Sequence, residues 1–339
     1  MYTSTGITLS LGALLAGAAN AQYSLSVTYD ASNFFSSFDF FTDSDPTNGF
    51  VQYVDGDTAN SLNLTSTASG SVFMGVDSTE TNPANGRKSV RVTSQQSFNH
   101  GLFIADIAHM PGSICGAWPA FWMVGPNWPN SGEIDIIEGV NTQTSDSITL
   151  HTSAGFSVSN DGSNSGTQLL GSDCEGNNGC SQTTSDNQNY GDGFNAINGG
   201  VYATEWTSDH ISVWFFPRTG IPSDISSENP NPSGWGTPLA QFNPTGDSID
   251  DHFQNNQLVF DTTFCGDWAG ADSVWNSNAE CSALASTCQE YVANNPAAFA
   301  EAFWSVNSIK VYDQGSSNAT SVAAVKAAAG PRRSMKFRA

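Results

Sequence analysis

Short runs of alternating apolar and polar residues recur along this chain and constrain its fold more than any other feature. Clear examples are KSVRVTS, GLFIADIA, EIDII, SITLHTS, HISVWFF and SIKVY. A period of two is typical of strands with one buried face, and turn-forming clusters separate the runs. Helical periodicity is nearly absent: residues 295–304 are the best helical patch, and residues 282–294 can hold another short turn of helix. The pattern predicts an all-β chain, a β-sandwich of jelly-roll type.

Both ends of the chain differ from this alternating body. Residues 7–18 form an apolar run followed by Ala19-Asn20-Ala21, which predicts a signal peptide over residues 1–21 and a mature start at Gln22. A buried N-terminal helix is the alternative. The strand-like runs extend to both ends of the body, so residues 22–314 are predicted to form one domain. Residues 315–339 are Ser/Ala-rich and then basic, and we predict a disordered tail.

The composition of the body indicates a secreted, extracellular protein. No other segment is apolar enough to cross a bilayer, so no membrane association is expected. The six cysteines fit an oxidising compartment, and a metal site is disfavoured because no C-x-x-C spacing occurs. Cys174 and Cys180 would close a short loop, and Cys265 is predicted to pair with Cys281 or Cys288. The sequons at Asn63 and Asn318 are candidate glycosylation sites.

The charge of the body limits the class of partner. All 32 acidic residues lie between Asp30 and Asp313, where only five Lys and Arg accompany them. Such a body repels nucleic acid and anionic polymers, so a neutral partner is expected and nucleic acid is excluded. The alternative explanation is that the acidity only keeps a secreted protein soluble.

One short segment carries most of the chemical information. SGEIDIIEGVN places Glu133, Asp135 and Glu138 among isoleucines. Alternation puts Glu133 and Asp135 on one face of a strand, but Glu138 joins them only if the strand absorbs one extra residue. A β-bulge does this, and bulges are common beside active sites. The spacing therefore predicts three carboxylates converging on a cleft, with Ile134 and Ile136 in the core.

The expected separation of the two glutamates indicates a reaction type. With one residue absorbed, their Cα atoms lie roughly 13 Å apart, and side chains leaning together leave about 5 Å between the carboxyl groups. That gap is characteristic of retaining glycosidases, in which one carboxylate attacks the sugar and the other protonates the leaving oxygen. Asp135, between them, can help to set which glutamate holds the proton. A calcium-binding loop or a solvated edge strand is the alternative, although calcium loops rarely carry such isoleucines.

Tryptophans around this segment support a sugar-binding cleft. Aromatic faces stack on the apolar faces of pyranose rings. Trp118, Trp122 and Trp128 precede the acidic motif, and Trp206 and Trp268 follow it. Trp122 can instead belong to the core, whereas Trp128 lies in a Pro- and Asn-rich loop and is the better surface candidate.

The segment GEIDIIE resembles the E-x-D-x-x-E signature of glycoside hydrolase family 16, in the longer, bulged form of the laminarinase-type enzymes. The resemblance extends over most of residues 22–313 and is closest to the fungal secreted endo-1,3(4)-β-glucanases. The segments that carry it are GAWPAFWMVGPNWPNSGEIDIIEGVN, ITLHTS, VYATEWT, VFDTTFCGDWAG and FWSVNSIKVY. It implies a jelly-roll sandwich with an open cleft, and retaining hydrolysis of β-1,3- and mixed β-1,3/1,4-glucans. We expect a monomer without a cofactor, and no loop of the sequence indicates a structural calcium.

The resemblance also implies roles for individual residues. Glu133 would be the nucleophile, Glu138 the acid/base and Asp135 the assisting acid, with His151 on the next strand hydrogen-bonding Asp135 or the substrate. Four further residues would contact substrate: Arg91, Glu205, Trp206 and Trp268. The alternatives are a structural role for His151 and a scaffold ion pair between Arg91 and Glu205.

Some features depart from the family pattern or leave the function open. Relatives often have cysteines where this chain has Phe156 and near Ser248, so the pairing of Cys115 stays open. A transglycosylase on the same fold would use the same three acids, since only the acceptor differs. A glucan-binding lectin would not need the complete acidic row.

Overall fold

The computed structural model describes residues 23–315, and two antiparallel sheets dominate it. The predicted signal peptide, the basic tail and Asn318 lie outside the described residues. The strands, in chain order, are β1 (Tyr23–Asp30), β2 (Phe38–Phe40), β3 (Val51–Tyr53), β4 (Thr65–Ser66), β5 (Val72–Met74), β6 (Arg87–Ser89), β7 (Arg91–Phe98), β8 (Gly101–His109), β9 (Ala117–Val124), β10 (Glu133–Glu138), β11 (Ser147–His151), β12 (Val158–Ser159), β13 (Gln168–Leu169), β14 (Cys180–Thr183), β15 (Gly200–Trp206), β16 (Ile211–Pro217), β17 (Ala240–Pro244), β18 (Asn256–Phe264) and β19 (Trp304–Gln314).

The helices are short and lie in the connections. They are α1 (Phe34–Ser37), α2 (Gly56–Ser61), α3 (Gly191–Ala196), α4 (Ser223–Ser226), α5 (Ile249–His252), α6 (Gly266–Ala269), α7 (Asp272–Trp275), α8 (Ala279–Leu284) and α9 (Cys288–Asn294), with 3-10 turns at Gly176–Asn178, Pro232–Gly234 and Pro296–Phe299. The predicted turn of helix within residues 282–294 is confirmed by α9. The predicted helix over residues 295–304 is wrong: only the 3-10 turn forms, and Trp304 begins β19. Within residues 23–315, no helix combines the length and the apolar character needed to cross a membrane.

The two sheets form the predicted sandwich. Sheet I has the order β13-β14-β11-β10-β9-β18-β7-β2, and sheet II has the order β12-β17-β16-β15-β8-β19-β5-β4, with β1 added on β19. Each alternating run predicted as a strand contributes a strand to one of these sheets, although the first residues of KSVRVTS belong to β6. A separate parallel pair, β3 with β6, lies outside both.

The main core lies between the inner faces of the two sheets. It brings Ile134, Ile136 and Leu150 of sheet I together with Phe103 and Ile309 of sheet II. Aromatic pairs cross neighbouring strands, as where the rings of Phe121 and Phe260 stack at 4.3 Å between centroids. Because the inner face of sheet I is filled in this way, its other face is left for polar side chains and a cleft.

The opposite face of sheet II is also covered. Val201, Ala203 and Trp214 form a second apolar cluster there, on which Ile221 and Trp235 from the β16–β17 connection pack. The Trp214 and Trp235 rings meet edge to face at 5.5 Å. This face is therefore closed by the chain itself, and sheet I carries the open surface.

Three disulfides tie the connections to sheet I. Cys174 pairs with Cys180, as predicted, and Cys265 pairs with Cys288, one of its two predicted partners. Cys115, for which the sequence predicts no single partner, pairs with Cys281 across 166 residues of sequence. The last two bridges lie in one buried cluster with Val292 and Phe299, and they tie α8 to the start of β9 and α9 to the end of β18.

Candidate active site

The acidic motif forms strand β10, and its bulge is where the spacing predicted it. Asp135 pairs with Trp122 on β9, but the next paired residue on β10 is Ile137, opposite Phe121, so Ile136 is the extra residue. All three isoleucines of the motif are fully buried in the core. The bulge thereby returns Glu138 to the open face of sheet I beside Asp135 and Glu133.

Cross-strand neighbours arrange this open face in rows. One row runs from Arg91 on β7 through Asp261 and Ala120 to Glu138. A second row contains Trp122 and Asp135, and a third contains Glu133 and its partner His151 on β11. The predicted acids therefore occupy three consecutive rows of one strand, with different neighbours on each side.

His151 lies directly against the acidic row. Its Nε2 is 3.2 Å from Oδ2 of the buried Asp135, and its Nδ1 is 2.8 Å from the carbonyl oxygen of Gly176. Burial lowers the pKa of His151, but the hydrogen bond and the charge of Asp135 outweigh it and raise that pKa to about 10. The side chain is thus an imidazolium at neutral pH, and the predicted contact with Asp135 is present.

The two glutamates are both made weaker acids by their surroundings. Burial raises the pKa of Glu138 to about 8, and the Asp135 carboxylate adds to the effect. Burial and Asp135 also raise the pKa of Glu133 well above its ordinary value, while the charge of His151 opposes the rise. Like charges this close cannot all ionise together, so at least one of these acids holds a proton at neutral pH.

Two tryptophans border Glu138. The Trp118 Nε1 donates a hydrogen bond to Glu138 Oε1 at 2.8 Å, and the ring of Trp268 meets that of Trp118 edge to face at 5.5 Å. A donor to a carboxylate favours its ionised form and so limits the rise of the pKa of Glu138. Both predicted substrate residues are therefore placed at the Glu138 end of the row.

A fourth carboxylate on this face was missed in the sequence. Asp261 on β18 is buried, and burial raises its pKa to about 6. It accepts hydrogen bonds from Trp122 Nε1 at 3.0 Å and from the Tyr53 hydroxyl at 2.7 Å. The signal was available, since Asp261 interrupts an apolar run in LVFDTTF, but nothing in the sequence joins β18 to β9.

Arg91 faces the same corner of the site. Its guanidinium carbon lies 4.5 Å from the ring centroid of Phe41 and 4.9 Å from that of Trp122. Its buried Nε has no hydrogen-bond partner among residues 23–315. The predicted alternative, an ion pair with Glu205, is wrong because the two residues lie in different sheets.

Asp146 supports Glu138 from behind the strand. It is buried, and its Oδ1 accepts a hydrogen bond at 2.9 Å from the backbone N–H of Glu138. Its own N–H donates to Asn189 Oδ1 at 3.1 Å. This residue, also missed in the sequence, fixes the backbone where β10 ends.

Of the remaining residues predicted to bind substrate, one lies at the surface near the site and two lie elsewhere. Trp128 is 44 % exposed in the β9–β10 loop, at the Glu133 end of the row. The prediction that Trp206 and Glu205 contact substrate is wrong. Trp206 is fully buried in the main core, and Glu205 alternates onto the covered face of sheet II with Ala203. There Glu205 accepts hydrogen bonds from Tyr23 and His210, so neither residue lies in the cleft.

One group of side chains has the ligand types for a cation. Oxygens of Glu133 and Asp135 and a nitrogen of His151 lie within 4.8 Å of one another. Asp135 Oδ2 has no hydrogen-bond partner by geometry among residues 23–315, but His151 Nε2 lies at ion-pair distance from it, 3.2 Å away. The arrangement can deliver both a carboxylate nucleophile and a carboxylic acid to one substrate bond.

Comparisons with known proteins agree with this geometry. The model of the XgeA-like catalytic domain of family GH16 matches residues 38–312. An endo-1,3(4)-β-glucanase of Arthroderma benhamiae is 44 % identical to this chain. The alignment covers 92 % of this chain and 69 % of that relative. A probable endo-1,3(4)-β-glucanase of Aspergillus fumigatus is 48 % identical over 91 % of this chain, which spans only 48 % of that relative.

Solved structures show the same architecture. An elongating GH family 16 β-1,3-glucosyltransferase superposes with a TM-score of 0.79 and 45 % identity, over 86 % of this chain and all of that one. GH16 Laminarinase 16A from Phanerochaete chrysosporium, with 6-O-glucosyl-laminaritriose in donor and acceptor sites, superposes with a TM-score of 0.81 and 40 % identity. This match also covers 86 % of this chain and all of the other.

Proposed function

This chain belongs to glycoside hydrolase family 16, and from that premise we propose that it is a secreted, endo-acting β-glucanase. Its substrates would be β-1,3-glucans and mixed β-1,3/1,4-glucans, cleaved with retention of configuration. The observation that carries the proposal is the bulged strand β10, which brings Glu133, Asp135 and Glu138 onto one open face. A neutral glucan also suits a body whose acidic charge would repel a polyanion.

The first step would be attack by Glu133. Its ionised carboxylate forms a bond to the anomeric carbon as the glycosidic C–O bond breaks, and Glu138 gives its proton to the leaving oxygen. The elevated pKa of Glu138, about 8, keeps that proton in place at neutral pH. The positive charge of His151 opposes the rise of the pKa of Glu133 and so favours the ionised form that attack requires.

The second step would release the sugar. Glu138, now a carboxylate, takes a proton from water as the water oxygen bonds to the anomeric carbon and the bond to Glu133 breaks. Two inversions give a product with the original β configuration, and both glutamates return to their starting states. Asp135 would hold His151 and the carboxyl group of Glu133 in register throughout.

Early product analysis by proton NMR tests this function. Purified protein is mixed with laminarin and, separately, with barley-type mixed glucan, and reducing ends are recorded before mutarotation. We expect fresh β-anomeric ends from both, at rates that give the linkage preference, and none from a Glu133→Gln control. Initial α-anomers would overturn retention, and binding of both glucans without cleavage would favour a lectin.

A second candidate function is transglycosylation. The 45 % identity with an elongating β-1,3-glucosyltransferase favours it, and the glycosyl-enzyme intermediate would be the same. Here a sugar hydroxyl replaces water in the second step. Products longer than the starting oligosaccharide, separated by chromatography, would distinguish transfer from hydrolysis.

A further inference from the structure

Asp261 is a buried carboxylate that the proposed reaction does not use. It lies on β18 between its cross-strand neighbours Arg91 and Ala120, and Ala120 in turn neighbours Glu138. A buried carboxylate is costly unless its oxygens are hydrogen-bonded. Because Asp261 lies in the same cross-strand row as Glu138, we expect its role to concern the active site.

Both oxygens of Asp261 accept hydrogen bonds from aromatic side chains. Oδ1 accepts from Trp122 Nε1 at 3.0 Å, and Oδ2 accepts from the Tyr53 hydroxyl at 2.7 Å. Trp122 is only partly buried, and a ring at an open surface has rotational freedom unless its polar edge is bound. The bond to Asp261 removes that freedom.

The orientation of Trp122 in turn sets the position of Arg91. The guanidinium lies over both the Trp122 ring and the Phe41 ring. Aromatic faces hold the cation without occupying its N–H groups, and Arg91 Nε is unpartnered among the described residues. A turned Trp122 ring would release one side of this arrangement.

This corner borders the path of the substrate. Trp122 is the cross-strand partner of Asp135. Glu133 and Glu138 flank the scissile bond along β10, so a glucan chain passes between them and crosses the strands. On the β9–β18–β7 side, a sugar unit meets Trp122 and then Arg91.

Resting on the proposed function, we propose that Asp261 is a positioning residue: it fixes the Trp122 ring, and through it the Arg91 guanidinium, as the wall of the sugar-binding subsite on the β9–β18–β7 side of the acidic row. It acts through Trp122 rather than on the substrate. The ligand of this wall is a neutral glucosyl unit, stacked on the ring and hydrogen-bonded by the guanidinium.

A double-mutant cycle in binding tests the proposal. Affinity for laminarihexaose is measured by calorimetry in the full chain carrying Glu133→Gln, so that turnover does not interfere. Asp261→Ala and Trp122→Phe, which lacks the N–H donor, should each weaken binding about tenfold. If one acts through the other, the double variant should also lose about tenfold, whereas independent effects would multiply to about a hundredfold.

The conservative variant Asp261→Asn supplies a rescue. The amide that this substitution introduces can accept from Trp122 through its oxygen and donate to Tyr53 through its nitrogen. Asp261→Asn should therefore restore affinity to within about threefold of the parent. A loss as large as that of Asp261→Ala would overturn positioning by this hydrogen bond.

Glu205→Gln is the matched control. It changes another carboxylate that accepts from a tyrosine, but on sheet II, and affinity should not change. Should Asp261→Ala fail to fold, Trp122→Phe and Asp261→Asn decide: unchanged affinity in Trp122→Phe overturns the proposal. Failure of the parent enzyme to cut any glucan would remove the proposed function, while the binding cycle would still report on Asp261.

Discussion

Trp118 Nε1 donates a hydrogen bond to Glu138 Oε1 at 2.8 Å, so the residue assigned as acid/base is held by an indole from the neighbouring strand. The same bond lowers the pKa of Glu138 against the burial that raises it to about 8. Trp118 thus acts on the orientation of the acid and on its proton affinity together.

Trp118→Phe should separate these effects. Without the donor, the pKa of Glu138 rises, and the alkaline limb of kcat/KM should move up by about one pH unit. Loss of orientation should lower kcat at the optimum about tenfold. A pH–rate profile on a soluble laminari-oligosaccharide measures both. An unmoved alkaline limb would mean that Glu138 does not control it.

Glu138→Ala should identify the acid/base chemically. With a substrate whose leaving group needs no proton, the first step still proceeds and the glycosyl-enzyme accumulates, because no base activates water. Added azide should restore turnover and give a β-glycosyl azide. Glu133→Gln is the control, since it lacks the nucleophile and azide should not rescue it to this product. Rescue of neither variant would contradict the assignment of Glu138.

The acidic row could be predicted from the sequence because its spacing is a local property. Glu133, Asp135 and Glu138 fit one strand face only with a bulge. The isoleucines between them indicate that the opposite face is buried. The strands and the Cys174–Cys180 loop are similarly local. These features require no knowledge of which strand lies beside which.

The features that were missed or wrong depend on contacts distant in sequence. Alternation in TEWT is compatible with either face of either sheet, so Glu205 and Trp206 were assigned to the cleft although both lie elsewhere. The hydrogen-bond partners of Asp261 are Trp122 and Tyr53, which lie 139 and 208 residues away in sequence. The Cys115–Cys281 bridge, across 166 residues, gives no local signal either.

His151→Asn should shift the pH dependence of the reaction. The imidazolium lowers the pKa of Glu133 and, less directly, that of Glu138. Removing the charge raises both, so the acid limb and the alkaline limb should move to higher pH, with the larger change in the acid limb. The matched control is His210→Asn, which breaks a histidine–carboxylate pair on sheet II. Equal profiles for the two variants would contradict a role for His151 in tuning the glutamates.

The disulfides should differ in their contribution to stability. In the chain-entropy account, a cross-link stabilises more when it closes a longer loop. Replacing the Cys115–Cys281 pair by serines should lower the free energy of unfolding by about 5 kcal/mol, and replacing Cys174–Cys180, six residues apart, by about 2 kcal/mol. Denaturant unfolding of the two double variants measures the difference. Equal losses would mean that strain or residual structure, not loop length, decides.

Two variants of Asp146 test whether it supports the backbone of Glu138. Its Oδ1 accepts from the N–H of Glu138 at 2.9 Å, and Asn keeps that acceptor whereas Ala does not. Asp146→Asn should keep kcat within about threefold, and Asp146→Ala should lose at least tenfold and about 1–3 kcal/mol of stability.

The pH dependence of stability gives an independent reading of the same residue. Burial raises the pKa of Asp146 well above its ordinary value, so the folded state binds the proton more tightly than the unfolded chain. Its contribution is therefore complete below the unfolded pKa, about 3.9, and declines as the pH rises towards the folded pKa. Asp146→Asn lacks this titration, so its stability relative to the parent should improve steadily from pH 4 to pH 8 in denaturant unfolding. A difference that stays constant over that range would show that Asp146 is ionised in the folded protein, with its charge balanced by the surrounding hydrogen-bond donors.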